Sequence, residues 1–116
     1  MDGSVSFFEL GVDDTDKARA FYGRLFGWTF GDAGNGASIK TPNIPGGLHG
    51  GDPGVGPYLF FRVSDLSSAL DQVRELGGQG VEEVSEADEG TTSEFGRFVL
   101  CTDDQGSKFG LHQPPA

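Results

Sequence analysis

Phe7-Phe8-Glu9-Leu10-Gly11-Val12-Asp13-Asp14-Thr15-Asp16-Lys17-Ala18-Arg19-Ala20-Phe21-Tyr22-Gly23-Arg24-Leu25-Phe26-Gly27-Trp28 is the stretch on which the fold turns. Phe8, Leu10 and Val12 recur with a period of two, the mark of a strand with one buried face. Asp14 then stands at a helix start, where its carboxylate can accept hydrogen bonds from free backbone N–H groups. Asp16 adds negative charge near the helix N-terminus, where the dipole favours it. Ala18, Phe21, Tyr22 and Leu25 follow the i, i+3, i+4, i+7 rule and predict one apolar stripe. Gly27 suits the left-handed conformation that ends many helices.

The pattern returns 51 residues later, from Tyr58 to Gly78. Leu59, Phe61 and Val63 alternate along a second strand. Asp65 takes the place of Asp14, and Leu66, Ala69, Leu70, Val73 and Leu76 form the second helical stripe. Gly77 and Gly78 end it. Two copies of a unit this long do not make a solenoid; they read as a duplicated α+β module. Module one spans about residues 1–52 and module two about 57–113.

The remaining segments complete each copy. Trp28 to Phe30 begins a short strand that breaks in a turn at Gly31 to Gly36, and Ala37 to Thr41 predicts another. Pro42 to Pro57 is rich in Gly and Pro and reads as loop, with room for one brief strand near Leu48. In the second copy, Val81 to Val84, Phe95 to Thr102 and Lys108 to His112 read as strands. Ser85 to Ser93 reads as an exposed acidic loop, and Gln113 to Ala116 as a frayed tail. Each copy is strand–helix–strand–strand–strand.

Composition bounds the partners. At 116 residues this is a single domain able to bury a core unaided. A net charge of −10 opposes binding to nucleic-acid backbones and to anionic membrane surfaces. The single cysteine, Cys101, rules out an internal disulfide and a multi-cysteine metal site. With no apolar run of spanning length and no signal-peptide pattern, the expected location is cytoplasmic.

The twofold strand–helix–strand–strand–strand order, with Phe21-Tyr22 mid-helix and Phe26-Gly27-Trp28 after it, resembles the vicinal-oxygen-chelate superfamily. This is the glyoxalase, bleomycin-resistance and extradiol-dioxygenase group. The closing run Asp103 to Leu111 resembles the branch whose final strand carries Phe-Gly-Leu, here Phe109-Gly110-Leu111. The resemblance covers nearly the whole chain. It implies an α+β fold of two tandem βαβββ modules forming one open cup-shaped sheet, with helices outside and a ligand cavity inside. It also leaves a homodimer open.

Metal-dependent relatives hold a divalent ion inside the cup with His and Glu side chains. Strand alternation sends Phe8, Leu10 and Val12 to the first helix, and Phe7 and Glu9 to the cup. Tyr58, Phe60 and Arg62 follow from the second copy, and Lys108, Gly110 and His112 from the last strand. The resemblance carries the ligand positions to Phe7, Tyr58 and Gly110, with a fourth near Ala37 to Thr41. None of these supplies a histidine or carboxylate. The expectation is therefore no metal and no cofactor. Glu9 and His112 are a relocated pair, but two ligands are too few to hold a catalytic ion. His49 is read as a solvated loop histidine.

An aromatic cup lined by Phe7, Tyr58 and Phe60 suits a small hydrophobic or aromatic molecule. Glu9 can accept hydrogen bonds or pair with a cation, Arg62 can take a carboxylate at the rim, and His112 can exchange a proton near neutral pH. The leading expectation is metal-independent binding of such a molecule, for sequestration or resistance. The alternative is an enzyme of lyase, isomerase or oxygenase type, acting on a small carbonyl or hydroxylated metabolite through Glu9 and His112. Against both stands a cup simply filled by its own aromatic side chains.

Overall fold

Ten elements follow one another in the computed structural model: β1 (Val5–Gly11), α1 (Thr15–Phe26), β2 (Thr29–Ala33), β3 (Gly36–Lys40), β4 (Gly46–His49), β5 (Tyr58–Arg62), α2 (Leu66–Glu75), β6 (Gln79–Glu83), β7 (Arg97–Thr102) and β8 (Lys108–Gln113). The structure describes residues 2–33, 36–52, 57–83 and 94–115. Both copies have the order βαβββ, and the class is α+β. The loop expected at Ser85 to Ser93 lies outside the described residues.

Both helices start where an aspartate can hold their free N–H groups. Asp14 Oδ1 accepts from the N–H of Asp16 at 2.9 Å and of Lys17 at 3.2 Å. Gly27 closes α1 with φ +75°, a conformation that costs a residue with a side chain more. At α2, Asp65 Oδ1 accepts from Ser68 N–H at 3.2 Å. Leu66 N–H donates to the side chain of Gln113 at 2.8 Å. Gln113 is therefore not part of a frayed tail; it is the last residue of β8 and secures the start of α2.

The chain divides into two compact units, an N-terminal one of Phe7–Tyr58 and a C-terminal one of Leu59–Ala116 joined by Met1–Ser6. In the N-terminal unit the strands run β2-β3-β4-β1. β1 pairs with β4 in parallel, with Glu9 opposite Gly47 and Gly11 opposite His49. Ala18, Ala37, Ile39 and Leu48 form the core, with Phe8, Leu10, Val12, Tyr22, Trp28 and Phe30 against it. In the C-terminal unit the order is β5-β8-β7-β6. β5 pairs with β8 in parallel, with Phe60 opposite Gly110 and Arg62 opposite His112. Its core is Leu66, Val99, Cys101 and Leu111, packed by Val63, Ala69, Leu70, Val73 and Phe109. Full burial of a side chain such as Ile39 or Leu66 stabilises by roughly 1.5–3 kcal/mol relative to exposure.

The helical stripes are narrower than the periodicity predicts. Ala18 and Tyr22 carry the inner face of α1, while Phe21 and Leu25 are 61% and 57% exposed. Leu76 falls beyond α2 and is exposed as well. β2 also continues through Gly31 to Ala33, residues expected to turn, because each pairs with β3 down to Ala33 opposite Gly36. Among the described residues no helix is long and apolar enough to cross a membrane.

Candidate functional site

The parallel pairing of β1 with β4 brings a glutamate of one strand beside a histidine of the other. His49 Nδ1 lies 2.6 Å from Glu9 Oε2, and His49 Nε2 lies 2.8 Å from Asp52 Oδ2. Tyr58 O–H donates to the same Asp52 oxygen at 3.3 Å, and its ring stacks on the imidazole with centroids 6.3 Å apart. These four side chains form one chain of titratable groups, carboxylate–imidazole–carboxylate–phenol. His49, Asp52 and Glu9 are 38%, 28% and 24% exposed, so the chain reaches solvent.

Backbone geometry holds it in place. His49 ends β4, and the next three residues fold back along the end of β1: Val12 N–H donates to His49 O at 2.9 Å and Asp52 N–H donates to Val12 O at 3.0 Å. Gly51 makes that turn with φ +69°. A Cβ on Gly11 would come within 2.5 Å of Asp52 Oδ2. One on Gly47 would collide with Glu9 Oε1 and lie 3.3 Å from the Phe7 ring. Glycines thus leave the room that the two carboxylates occupy.

Burial pushes the Glu9 carboxyl up, and the bond and charge of His49 only partly pull it back. For His49, burial alone would push the imidazole down. The bonds and charges of Glu9 and Asp52 outweigh it and raise His49 above its ordinary value. With both ring nitrogens on carboxylate oxygens, the three groups share their protons and titrate as a unit. Burial, then Asp52, raises the Tyr58 phenol.

His112 is held differently. It is buried, 5% exposed. Nε2 lies 2.6 Å from the carbonyl oxygen of Phe95, and since a carbonyl only accepts, Nε2 carries the proton. Nδ1 therefore accepts from the Ser6 hydroxyl at 2.8 Å. The Phe98 ring lies parallel to the imidazole at 4.4 Å. Burial is the main reason its pKa falls; Arg62 lowers it further, and the bond to Phe95 opposes.

The six candidate residues fall into two groups. Phe7, Glu9 and Tyr58 belong to the N-terminal unit, and Phe60, Arg62 and His112 to the C-terminal one. Phe7 and Phe60 are 7% and 2% exposed. Phe60 lies over Gly110 and meets Phe98 edge-on at 5.3 Å. Arg62 is exposed, and its backbone bonds to Gly3 and Ser4. His49 and Asp52 were missed. His49 is no solvated loop residue but the hub of the polar chain. The signal lay in an internal echo, Gly47-Leu48-His49 against Gly110-Leu111-His112.

The same echo corrects the expected metal positions. The register counterpart of Gly110 in the first copy is Gly47 on β4, not a residue of Ala37 to Thr41. Neither glycine has a donor, and side chains already lie over both. Glu9 and Asp52 engage opposite nitrogens of one imidazole, so a single ion cannot take both carboxylates and the ring between them. The residues do not fit the ion that the superfamily's metal-dependent members hold. Among the described residues no group of three or more His, Cys, Asp or Glu has the arrangement of a metal site.

Comparison with known proteins agrees with the topology. The bleomycin resistance protein-like N-terminal family matches residues 5–42. A glyoxylase-like domain-containing protein of Didymella fabae is 26% identical over 97 residues, covering 72% of this chain and 76% of its own. Methylmalonyl-CoA epimerase from Mycobacterium tuberculosis superposes with a TM-score of 0.68 at 20% identity, over 98% of this chain and 89% of that one. The chain has the vicinal-oxygen-chelate fold. A second structure of that fold, a glyoxalase/bleomycin resistance protein/dioxygenase superfamily member from Vibrio splendidus, gives 0.64 at 15% identity, over 96% and 98% of the two chains. Identities this low carry the vicinal-oxygen-chelate architecture across, and the architecture hosts many chemistries.

Proposed function

We propose that the protein binds a small molecule, without a metal, at the Glu9–His49–Asp52–Tyr58 chain, and that sequestration of that molecule is its role. The observation that carries this reading is the partly exposed polar chain set beside aromatic rings. A few fixed polar groups against apolar surface is the composition of a ligand site. Glu9 presents an acceptor oxygen beyond its bond to His49. Tyr58 supplies a ring face and Phe7 an apolar wall, so the favoured ligand joins a flat or hydrophobic body to a hydrogen-bond donor. Commitment of both imidazole nitrogens to carboxylates supports the metal-free form of the reading. So do Phe7, Gly47 and Gly110, which stand at three of the positions where the superfamily resemblance expects a metal ligand and carry no donor atom.

The test is a thermal-shift screen of aromatic and hydrophobic compounds carrying amine, phenol or amide donors, repeated with Glu9→Gln and His49→Ala. Ligands that raise the wild-type midpoint and lose at least tenfold in affinity in both variants are expected. A screen without a single stabilising compound, or hits that bind both variants at wild-type strength, would sink the proposal.

A further inference from the structure

Resting on that reading of the site, we infer that Glu9 is a metal-independent general base toward small neutral aromatic carbon acids, with His49 and Asp52 as its positioning residues. Glu9 Oε2 is tied to His49 Nδ1, which leaves Oε1 as the oxygen that can meet a bound molecule. Asp52 on the far nitrogen favours the charged imidazole and fixes its plane, as an orienting carboxylate does for a catalytic histidine. Here the order is turned round, and the imidazolium orients a carboxylate. The groups facing Glu9 from the elements around it are His49 of β4, Asp52 beyond it and, through Asp52, Tyr58.

Charge selects the substrate. Two carboxylates flank one imidazole, so with both ionised the cluster is net negative whether the ring is charged or neutral; an anionic substrate is repelled, and a neutral one reduces that charge by one on giving up its proton. The partly buried position of Glu9 makes it a stronger base than a solvated carboxylate, closer to the neutral range that general-base catalysis favours. Its exposed edge returns the proton to water.

The probe is 5-nitrobenzisoxazole, a flat neutral carbon acid. Glu9 takes the proton on C3, the C–H electron pair becomes the second π bond of a nitrile, and the N–O bond breaks to leave a phenolate. The product, 2-cyano-4-nitrophenolate, is coloured. Binding is followed separately by the thermal shift of the same probe. The wild-type protein is expected to give saturable elimination at pH 7. Glu9→Gln should weaken binding as in the ligand screen and, at saturating probe, lose the turnover rate by a further factor on the order of 10²–10³. His49→Gln removes a bond and a charge that lower Glu9, so the acidic limb of its pH–rate profile must move to higher pH. Asp52→Asn should move the titration of His49 to lower pH. A probe that binds without saturable elimination overturns the base and leaves the binding reading intact. A Glu9→Gln rate equal to wild type, or an unmoved limb in His49→Gln, overturns the residue assignments. A probe that neither binds nor reacts overturns the substrate class.

Discussion

Replacing Gly110 by alanine tests the packing that closes the C-terminal unit. An alanine Cβ there would lie 2.5 Å from Phe60 Cε2 and 2.6 Å from Phe60 Cγ, where ordinary contact begins near 3.4 Å. The ring would have to retreat by about 1 Å, and little room receives it. Phe60 is 2% exposed and meets the Phe98 ring edge-on at 5.3 Å, and Phe98 is itself only 5% exposed. Overpacking a closed core typically costs about 1–3 kcal/mol, and with aromatic rings on both sides the upper end is expected, about 3 kcal/mol. For 116 residues that corresponds to a fall in melting temperature of about 12 °C. The assay is urea and thermal unfolding of Gly110→Ala, with Phe60→Leu and the double variant completing a cycle. The smaller leucine should recover about 1 kcal/mol or more of the loss as coupling between the two sites. A Gly110→Ala protein that melts within about 2 °C of wild type would refute the ring-over-glycine packing.

Three further outcomes are expected. The two histidines should titrate on opposite sides of 6.5 by NMR, His49 above and His112 below, with His49→Gln assigning the signals. By linkage, His49 stabilises below 6.5 and loses that contribution as pH rises through its folded value; His112 stabilises above 6.5 and loses its contribution as pH falls through its own. Solvent access to His49 keeps its share to about 1 kcal/mol or less, so His49→Gln should mainly flatten the alkaline side of a urea-stability profile. Cys101 is fully buried with its thiol pushed up by that burial, so a disulfide reagent should modify it only in denaturant. Fast labelling of the native protein would contradict that burial. Asp14→Ala removes the carboxylate oxygen that accepts from two N–H groups at the start of α1 and should cost about 1 kcal/mol in urea unfolding, with serine at that position recovering most of the loss.

Much of the fold could be read from local signals. Asp14, Asp65 and Gly27 act as caps because capping depends on residues one to four apart. Phe8, Leu10 and Val12 face their helix because strand alternation is local too. Phe21 and Leu25 misled, since an apolar residue at helical spacing is buried only if something covers it. The site was half legible. Glu9 and Tyr58 stand on clear strands, whereas His49 and Asp52 lie in a glycine-rich stretch with no periodicity. The four-residue strand Gly46–His49 takes its identity from pairing with β1 and β3, which no local pattern encodes. Gln113 reads as tail in the sequence because its partner, Leu66 N–H, lies 47 residues away.

Gly-Leu-His occurs once in each copy, and the two occurrences have diverged in what covers the glycine. Over Gly47 lies a carboxylate and over Gly110 a phenyl ring. The two copies thus divide polar exposure and packing between them, a carboxylate kept partly open in one and a ring closed into the core in the other. Tolerance to substitution should then be lopsided. Polar exchanges at the partly exposed Glu9, His49 and Asp52 should leave a folded protein that lacks the proposed site, whereas the equivalent exchanges at the buried Phe60 and His112 should cost the fold itself.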